Sequence, residues 1–152
     1  MKKQAAFARH PSRVVTALSV SPNAEDHIGL EAIFSHSNWA LFQADEPARA
    51  ASMIREHGIG VVFCERDLAP GNWTDLILAL GRLSPAPPPV IVTSRSADDA
   101  LWSEALNRGA YDVLAKPYRR DDVVRSVRQA WMHWIREEEA ASAVPRVLGA
   151  AS

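Results

Sequence analysis

The chain has 152 residues, of which 47% are hydrophobic and 23% charged, and its formal net charge is −1. This length favours one domain, and the hydrophobic share is sufficient for an ordinary core. The near-zero charge gives no support for nucleic-acid binding, and no apolar run approaches the ~18 residues that a membrane span needs. The one cysteine, Cys64, excludes an intrachain disulfide. These features predict a cytoplasmic protein that contacts neither nucleic acid nor membrane.

Strand-like and helix-like segments alternate five times along the chain. Short apolar runs predict strands at Arg13–Ser19, Trp39–Gln43, Gly60–Cys64, Val90–Thr93 and Tyr111–Ala115. Each run is followed by a segment with apolar residues at helical spacing. These helices are predicted to begin near Asn23 or Ala24, Asp45, Asn72 or Thr74, Ser96, and Arg120.

Such alternation predicts a parallel sheet, because parallel strands need a crossover connection, usually a helix, between them. Five units predict a three-layer α/β/α flavodoxin-like domain, with a five-stranded parallel sheet in the order 2-1-3-4-5 and five helices. The domain is expected to span residues 13–138. Residues 1–12 are expected to form a flexible N-terminal tail, and residues 139–152 a flexible tail or linker stub. Functional sites in such sheets form at the carboxyl ends of the strands.

Three segments at predicted strand ends carry a resemblance to a known family: Val61–Trp73 (VVFCERDLAPGNW), Val90–Ser96 (VIVTSRS) and Gly109–Tyr118 (GAYDVLAKPY). With them, most of the chain resembles the receiver domain of bacterial two-component response regulators. The family has Thr or Ser at the end of strand 4 and Lys-Pro, typically with a cis peptide bond, after strand 5. Thr93 and Lys116–Pro117 match these positions. The whole GAYDVLAKPY pattern is more specific than the Lys-Pro pair alone.

The resemblance implies a phosphate-accepting aspartate at the end of strand 3, but this chain has none at that position. The most natural register places Glu65 there, and a competing register keyed on Pro70 places Arg66 there. Asp67 is an alternative acceptor close by. The Glu65 carboxylate reaches about 1.3–1.5 Å farther than an aspartate would. It could therefore pair with Lys116, either as a plain structural ion pair or as an imitation of the phosphorylated state.

The resemblance also implies a pair of acidic residues at the end of strand 1 that binds Mg²⁺. Ser19 and Val20 occupy those positions, and neither has a carboxylate. Because Mg²⁺ prefers oxygen ligands in octahedral geometry, its binding is expected to be weak or absent, and no other cofactor is predicted. Glu25 and Asp26 are expected to stabilise the N-terminus of the first helix, with a role as substitute ligands as the alternative.

Members of the family signal and dimerise through their fourth helix, fifth strand and fifth helix. Trp102, Tyr118 and Trp131 are the interface candidates there, because exposed aromatic residues favour protein contacts, whereas Trp134 is expected in the core. The position of the family's aromatic switch residue is Val113, so the usual coupling to the strand-4 hydroxyl is expected to be broken.

These features predict a signalling module that is independent of phosphorylation and is not an enzyme. It is expected to act by contacts with a histidine kinase or a downstream regulator, and to form a homodimer through the fourth and fifth helices. Two alternatives remain open. One is a receiver still phosphorylated on Asp67 or another nearby carboxylate. The other is a small flavodoxin-like ligand-binding domain or enzyme, against which the missing glycine-rich phosphate loop argues.

Overall fold

The computed structural model describes residues 14–69 and 71–151, with side chains to residue 143. In this part of the chain, strands and helices alternate strictly. The strands are β1 (Thr16–Val20), β2 (Ala40–Ala44), β3 (Val61–Glu65), β4 (Val90–Ser94) and β5 (Asp112–Ala115). The helices are α1 (Ala24–Phe34), α2 (Pro47–Glu56), α3 (Trp73–Leu83), α4 (Asp99–Asn107) and α5 (Arg120–Ala151).

All neighbouring strands pair in parallel, and their order is β2-β1-β3-β4-β5. Helices α1 and α5 cover one face of the sheet, and α2, α3 and α4 cover the other. Successive side chains of a strand point to opposite faces of the sheet. In β3, Val61 and Phe63 therefore face α1 and α5, whereas Val62 and Cys64 face the other three helices. The predicted three-layer α/β/α flavodoxin-like fold is confirmed.

Two helix N-caps differ from the sequence prediction. The N-cap of α4 is Asp98 rather than Ser96, and the Asp98 carboxylate accepts a hydrogen bond from the N–H of Leu101 at 2.9 Å. A carboxylate is favoured there because it also meets the positive end of the helix dipole. The N-cap of α2 is Glu46 rather than Asp45, and no side chain caps that helix.

Helix α5 continues to Ala151, so residues 139–151, which the sequence predicts to be a flexible tail or linker stub, are helical. The reason lies in the run EEEAASA at residues 137–143, because alanine and glutamate have high helix propensity. The predicted N-terminal tail, residues 1–12, and Pro70 lie outside the described residues. Within the described ranges, no helix is both long enough and apolar enough to cross a membrane.

Two tryptophans determine how closely α5 approaches the sheet. Trp131 and Trp134 are each 5% exposed, and their ring centroids are 5.1 Å apart. The indole N–H of Trp134 donates to the carbonyl of Ala86 at 3.1 Å, which ties the proline-rich connector to α5. Both rings lie over Gly60, where an added Cβ would be 2.5 Å from Cζ3 of Trp131. The core position of Trp134 is confirmed, and the surface position of Trp131 is wrong because a glycine leaves room for both rings.

Candidate functional site

The carboxyl ends of β3, β4 and β5 meet at a buried polar cluster. Glu65 ends β3, Thr93 is its partner in register on β4, and Lys116 directly follows β5. The backbone N–H of Lys116 donates to the carbonyl of Ser94 at 3.0 Å, which positions the start of the lysine side chain. The Lys116–Pro117 peptide bond is cis. The structure therefore places the carboxylate, the hydroxyl and the lysine at one edge of the sheet.

Lys116 bridges two carboxylates. Its Nζ donates to Oδ2 of Asp26 at 2.8 Å and to Oε1 of Glu65. These three side chains, which we call the ion cluster, are only 5–7% exposed. A buried ammonium requires hydrogen-bonded counter-charges, and Lys116 has two. The charge of the lysine is thus already matched inside the protein.

Asp26 is the residue whose role the sequence does not predict. Apart from Lys116, the Ser21 hydroxyl donates to Asp26 Oδ2 at 2.6 Å. Burial alone would raise the pKa of this carboxyl, but the hydrogen bonds from Lys116 and Ser21, with the charge of Lys116, hold the pKa below its ordinary value. Asp26 lies on the same buried face of α1 as Leu30 and Phe34, at a spacing of four residues. That periodicity is the sequence signal that could have identified it.

Hydrogen bonds close the end of β1, where the family has its acidic pair. The Ser19 hydroxyl lies 2.8 Å from Nδ1 of His27, and His27 Nε2 donates to the carbonyl of Ser21 at 3.0 Å. Val20 packs into the core. In the described part of the chain, no three His, Cys, Asp or Glu side chains form a group that could hold a metal. The residues do not fit a Mg²⁺ site, because the carboxylates of the ion cluster already bind an ammonium and hydroxyls are poor substitutes.

Tyr118 lies beside Asp26 and Lys116. Burial raises the pKa of its phenol, although the nearby Thr93 hydroxyl acts in the opposite direction. A Cβ added at Gly29 would lie 3.2 Å from Cδ2 of the Tyr118 ring, so the ring packs closely against α1. This half-buried position differs from the outward-facing one that an interface role predicts, because the ring packs against α1.

A pocket of about 260 Å³ lies beside the ion cluster, between α1 and the loops after β4 and β5. Among its lining residues, Arg95 Nη2 donates to Glu25 Oε1 at 2.9 Å, and both side chains are exposed. The pair links the start of α1 to the loop after β4. Glu25 is therefore engaged at the surface, whereas the adjacent Asp26 points into the protein.

Asp67 lies outside the ion cluster. Its side chain is 75% exposed and pairs with Nε of Arg66 at 3.3 Å. Its backbone N–H donates to Oε2 of Glu65 at 2.8 Å, so the two oxygens of Glu65 bind Asp67 and Lys116, respectively. Glu65, and not Arg66, is the residue at the end of β3 that points into the cluster.

Cys64 precedes Glu65 and is fully buried. Burial, and secondarily the charge of Glu65, raises the pKa of the thiol to about 12. Because the thiolate is the reactive form of cysteine, this residue is an inert part of the core.

The structure also shows the positions of Val113 on β5 and Trp102 on α4, for which the sequence made predictions. Val113 is buried in the core with Leu101 and Ala105 of α4, in the place of an aromatic switch residue. Trp102 is 47% exposed on α4, and its predicted surface position is confirmed. Thr93 therefore has no aromatic partner at position 113, and the aromatic residue near its hydroxyl is Tyr118.

A five-stranded parallel domain with a carboxylate, a hydroxyl and a Lys–cis-Pro pair at one sheet edge defines a receiver-type α/β protein. The sequence model of the response regulator receiver domain matches residues 24–128. Because this match covers more than half of the chain, the protein belongs to the response regulator receiver family. Comparison with curated protein sequences gives no match.

Solved receiver structures are similar in fold. The signal receiver domain of an HD domain-containing protein from Pseudomonas fluorescens Pf-5 is 21% identical, with a TM-score of 0.75 over 86% of this chain and 96% of the other. NtrX from Brucella abortus is 20% identical, with a TM-score of 0.74 over 86% of this chain and 29% of NtrX. The receiver domain of a putative Luxo repressor protein from Vibrio parahaemolyticus is 17% identical, with a TM-score of 0.73 over 84% and 98% of the two chains. At these identities the likeness shows the fold.

Proposed function

We propose that this chain is a receiver module of a two-component system that signals through protein contacts without being phosphorylated. The observation that carries the proposal is that Lys116 binds the carboxylates of both Asp26 and Glu65. Phosphoryl transfer depends on cationic groups that neutralise the developing charge. Here the lysine is already neutralised, the donor set does not suit a metal, and the acceptor position holds a glutamate.

The ion cluster also joins three separate elements, since Asp26 belongs to α1, Glu65 ends β3 and Lys116 follows β5. Two interpretations of the Glu65–Lys116 pair follow: a structural ion pair, or a lasting imitation of the phosphorylated state. Both predict one conformational state whose population does not depend on phosphate. A partner would then recognise that state constitutively.

Incubation with acetyl phosphate and Mg²⁺ is expected to leave the intact mass of the protein unchanged. The reason is that neither a suitable aspartate nor an available cation lies at the end of β3. A receiver domain with an intact acidic pocket, incubated in the same tube, serves as the control and should gain a phosphoryl group. An adduct on this protein would contradict the proposal. An adduct mapped to Asp67 would establish the alternative acceptor, because that carboxylate is exposed.

Tryptophan fluorescence supplies a second readout of the same proposal. Trp73 begins α3, directly after the loop that follows Glu65. Titration with Mg²⁺, with and without beryllofluoride as a phosphoryl analogue, is expected to give a flat response. A saturable change that beryllofluoride strengthens would show a functional phosphate pocket and overturn the proposal.

The proposed partners are a histidine kinase or a downstream regulator, together with a second copy of this chain bound through α4 and α5. Exposed Trp102 supports the homodimer, because tryptophan is enriched among residues that dominate interface energies. Trp102→Ser is expected to weaken self-association about thirtyfold, the equivalent of about 2 kcal/mol, in analytical ultracentrifugation. Leu78→Ser, at an exposed position of α3, is the matched control and should change nothing. A wild-type protein that stays monomeric at every concentration would refute the dimer.

A further inference from the structure

The exposed face of α5 beside the start of β5 carries a feature separate from the ion cluster. Met132 is 49% exposed there. It lines a groove of about 350 Å³ together with Tyr111, Arg128 and Arg136. The two arginines lie four residues before and four residues after Met132, so all three side chains share one face of the helix. An exposed apolar side chain thus lies between two cations.

The charges of these two arginines are not matched by an ion pair in the described part of the domain. Neither Arg128 nor Arg136 forms an ion pair with any residue that the structure describes, whereas Arg125 pairs with Asp122 at 3.3 Å. An exposed ion pair would bring little stability, so the missing pairs carry no penalty for the free protein. The guanidinium groups of Arg128 and Arg136 are therefore available to a partner.

The part of α5 that carries Arg128 and Arg136 is flanked by acidic residues on both sides. A second groove of about 450 Å³ adjoins the first, shares Arg128 with it and extends toward the start of α5, where it meets Asp121. Beyond Arg136 the exposed helix face becomes acidic at Glu139. The face from Arg128 to Arg136 is therefore a short basic surface with an apolar centre.

We propose that the face formed by Tyr111, Arg128, Met132 and Arg136 docks an acidic segment of a partner protein. One apolar side chain of that segment would pack on Met132, and carboxylates would bind Arg128 and Arg136. This inference rests on the proposed function, since it names the chemistry of the partner that a phosphate-independent receiver contacts. Guanidinium groups match carboxylates well because their planar donors can form paired hydrogen bonds.

The spacing of the arginines limits the form of the segment. Eight residues at 1.5 Å of rise place the two arginine backbones about 12 Å apart. An extended segment that rises about 3.3 Å per residue covers this distance in about four residues. Alternate residues of such a segment face the same side. The pattern acidic, any, apolar, any, acidic therefore matches Arg128, Met132 and Arg136 in turn.

On this part of α5 the chemistry favours an acidic peptide over nucleic acid or a second copy of the chain, which leaves α4 and the rest of α5 to the proposed homodimer. Nucleic-acid binding draws on an extended basic surface, whereas this face is short, is flanked by Asp121 and Glu139, and belongs to a chain with a net charge of −1. An apolar centre is also of little use to a phosphate backbone. In a symmetric pairing of α5 centred on Met132, Arg128 of one copy would lie opposite Arg136 of the other, which is repulsive.

The test is the binding of a fluorescein-labelled peptide with the core Glu-Ser-Leu-Ser-Glu to the full chain, followed by fluorescence anisotropy at low salt. Arg128→Glu with Arg136→Glu is expected to weaken binding at least tenfold, and Met132→Ser severalfold. Replacing the peptide leucine with serine should weaken binding by a similar factor to Met132→Ser. Arg82→Glu, at an exposed position of α3, is the matched control and should bind as the wild type does. Circular dichroism checks that each variant is folded.

The inference is overturned if all variants bind the peptide equally, or if the leucine makes no difference. Tighter binding of single-stranded oligothymidylate through the same arginines would assign the face to nucleic acid. If Arg128→Glu with Arg136→Glu dissociates a homodimer that the wild type forms, the face is a contact with a second copy of the chain. Because these measurements use no phosphodonor, their failure is distinct from a failure of the proposed function, which the intact mass tests.

Discussion

Replacing Gly60 with alanine is expected to destabilise the fold by about 3 kcal/mol, at the upper end of the usual cost of overpacking a core. The new methyl group would overlap the rings of Trp131 and Trp134. The backbone cannot retreat, because the N–H of Gly60 donates to the carbonyl of Thr16 at 3.0 Å. Two large, rigid rings must therefore shift, and one of them also holds the proline-rich connector through Ala86.

Urea denaturation measures this loss, and Gly81→Ala is the matched control. Gly81 lies inside α3, and apart from its chain neighbours and the backbone of its own helix no described atom lies within 4 Å of a Cβ added there. Its replacement is expected to stabilise the protein by about 0.5–1 kcal/mol, because alanine is the better helix former. Equal stability of Gly60→Ala and the wild type would show that the tryptophan pair does not require close approach to β3.

The second large effect is expected for Lys116→Met, which should lower the free energy of unfolding at neutral pH by about 3–5 kcal/mol. Methionine has nearly the same shape as lysine, but it leaves the carboxylates of Asp26 and Glu65 buried without their cation. Two unpaired negative charges would then lie close together away from water. Urea denaturation at neutral pH gives the magnitude.

The pH dependence of stability is expected to change sign in this variant. In the wild type the pKa of Asp26 is lowered, so its contribution is complete above the ordinary value of about 3.9 and is lost as the pH falls through the lower folded-state value. Without Lys116, burial, the largest influence on the pKa of Asp26, is opposed only by the hydrogen bonds with Ser21 and Asn23 and should raise that pKa above its ordinary value. Acidification then protonates Asp26 and stabilises the variant, whereas it destabilises the wild type.

Two controls separate the ion cluster from a general effect of charge. Adding Asp26→Asn and Glu65→Gln to Lys116→Met removes the buried charges and should restore most of the lost stability. Arg95→Met breaks the exposed pair with Glu25 and should cost no more than about 1 kcal/mol. If Lys116→Met were as stable as the wild type at neutral pH, the cluster would not hold the three elements together.

Much of the site follows from the sequence, because its parts are local to strand ends. The runs that precede Glu65, Thr93 and Lys116 are continuous and apolar, as buried parallel strands require. The carboxyl ends of such strands lie at one edge of the sheet, so the three side chains had to come close together once the strand order was predicted. The same local pattern predicts the exposed position of Trp102.

Other features depend on contacts between residues far apart in the chain. The periodicity of α1 shows that Asp26 lies on a buried face, but its role depends on Lys116, which lies 90 residues away in sequence. The helical spacing of α5 leaves Trp131 at the edge of its apolar stripe, and its burial depends on a missing side chain at Gly60. Local patterns determine the strands, the helices and the edge at which they end. Only tertiary packing determines which buried charge finds a partner and which large ring finds space, since both depend on surfaces that the chain brings together when it folds.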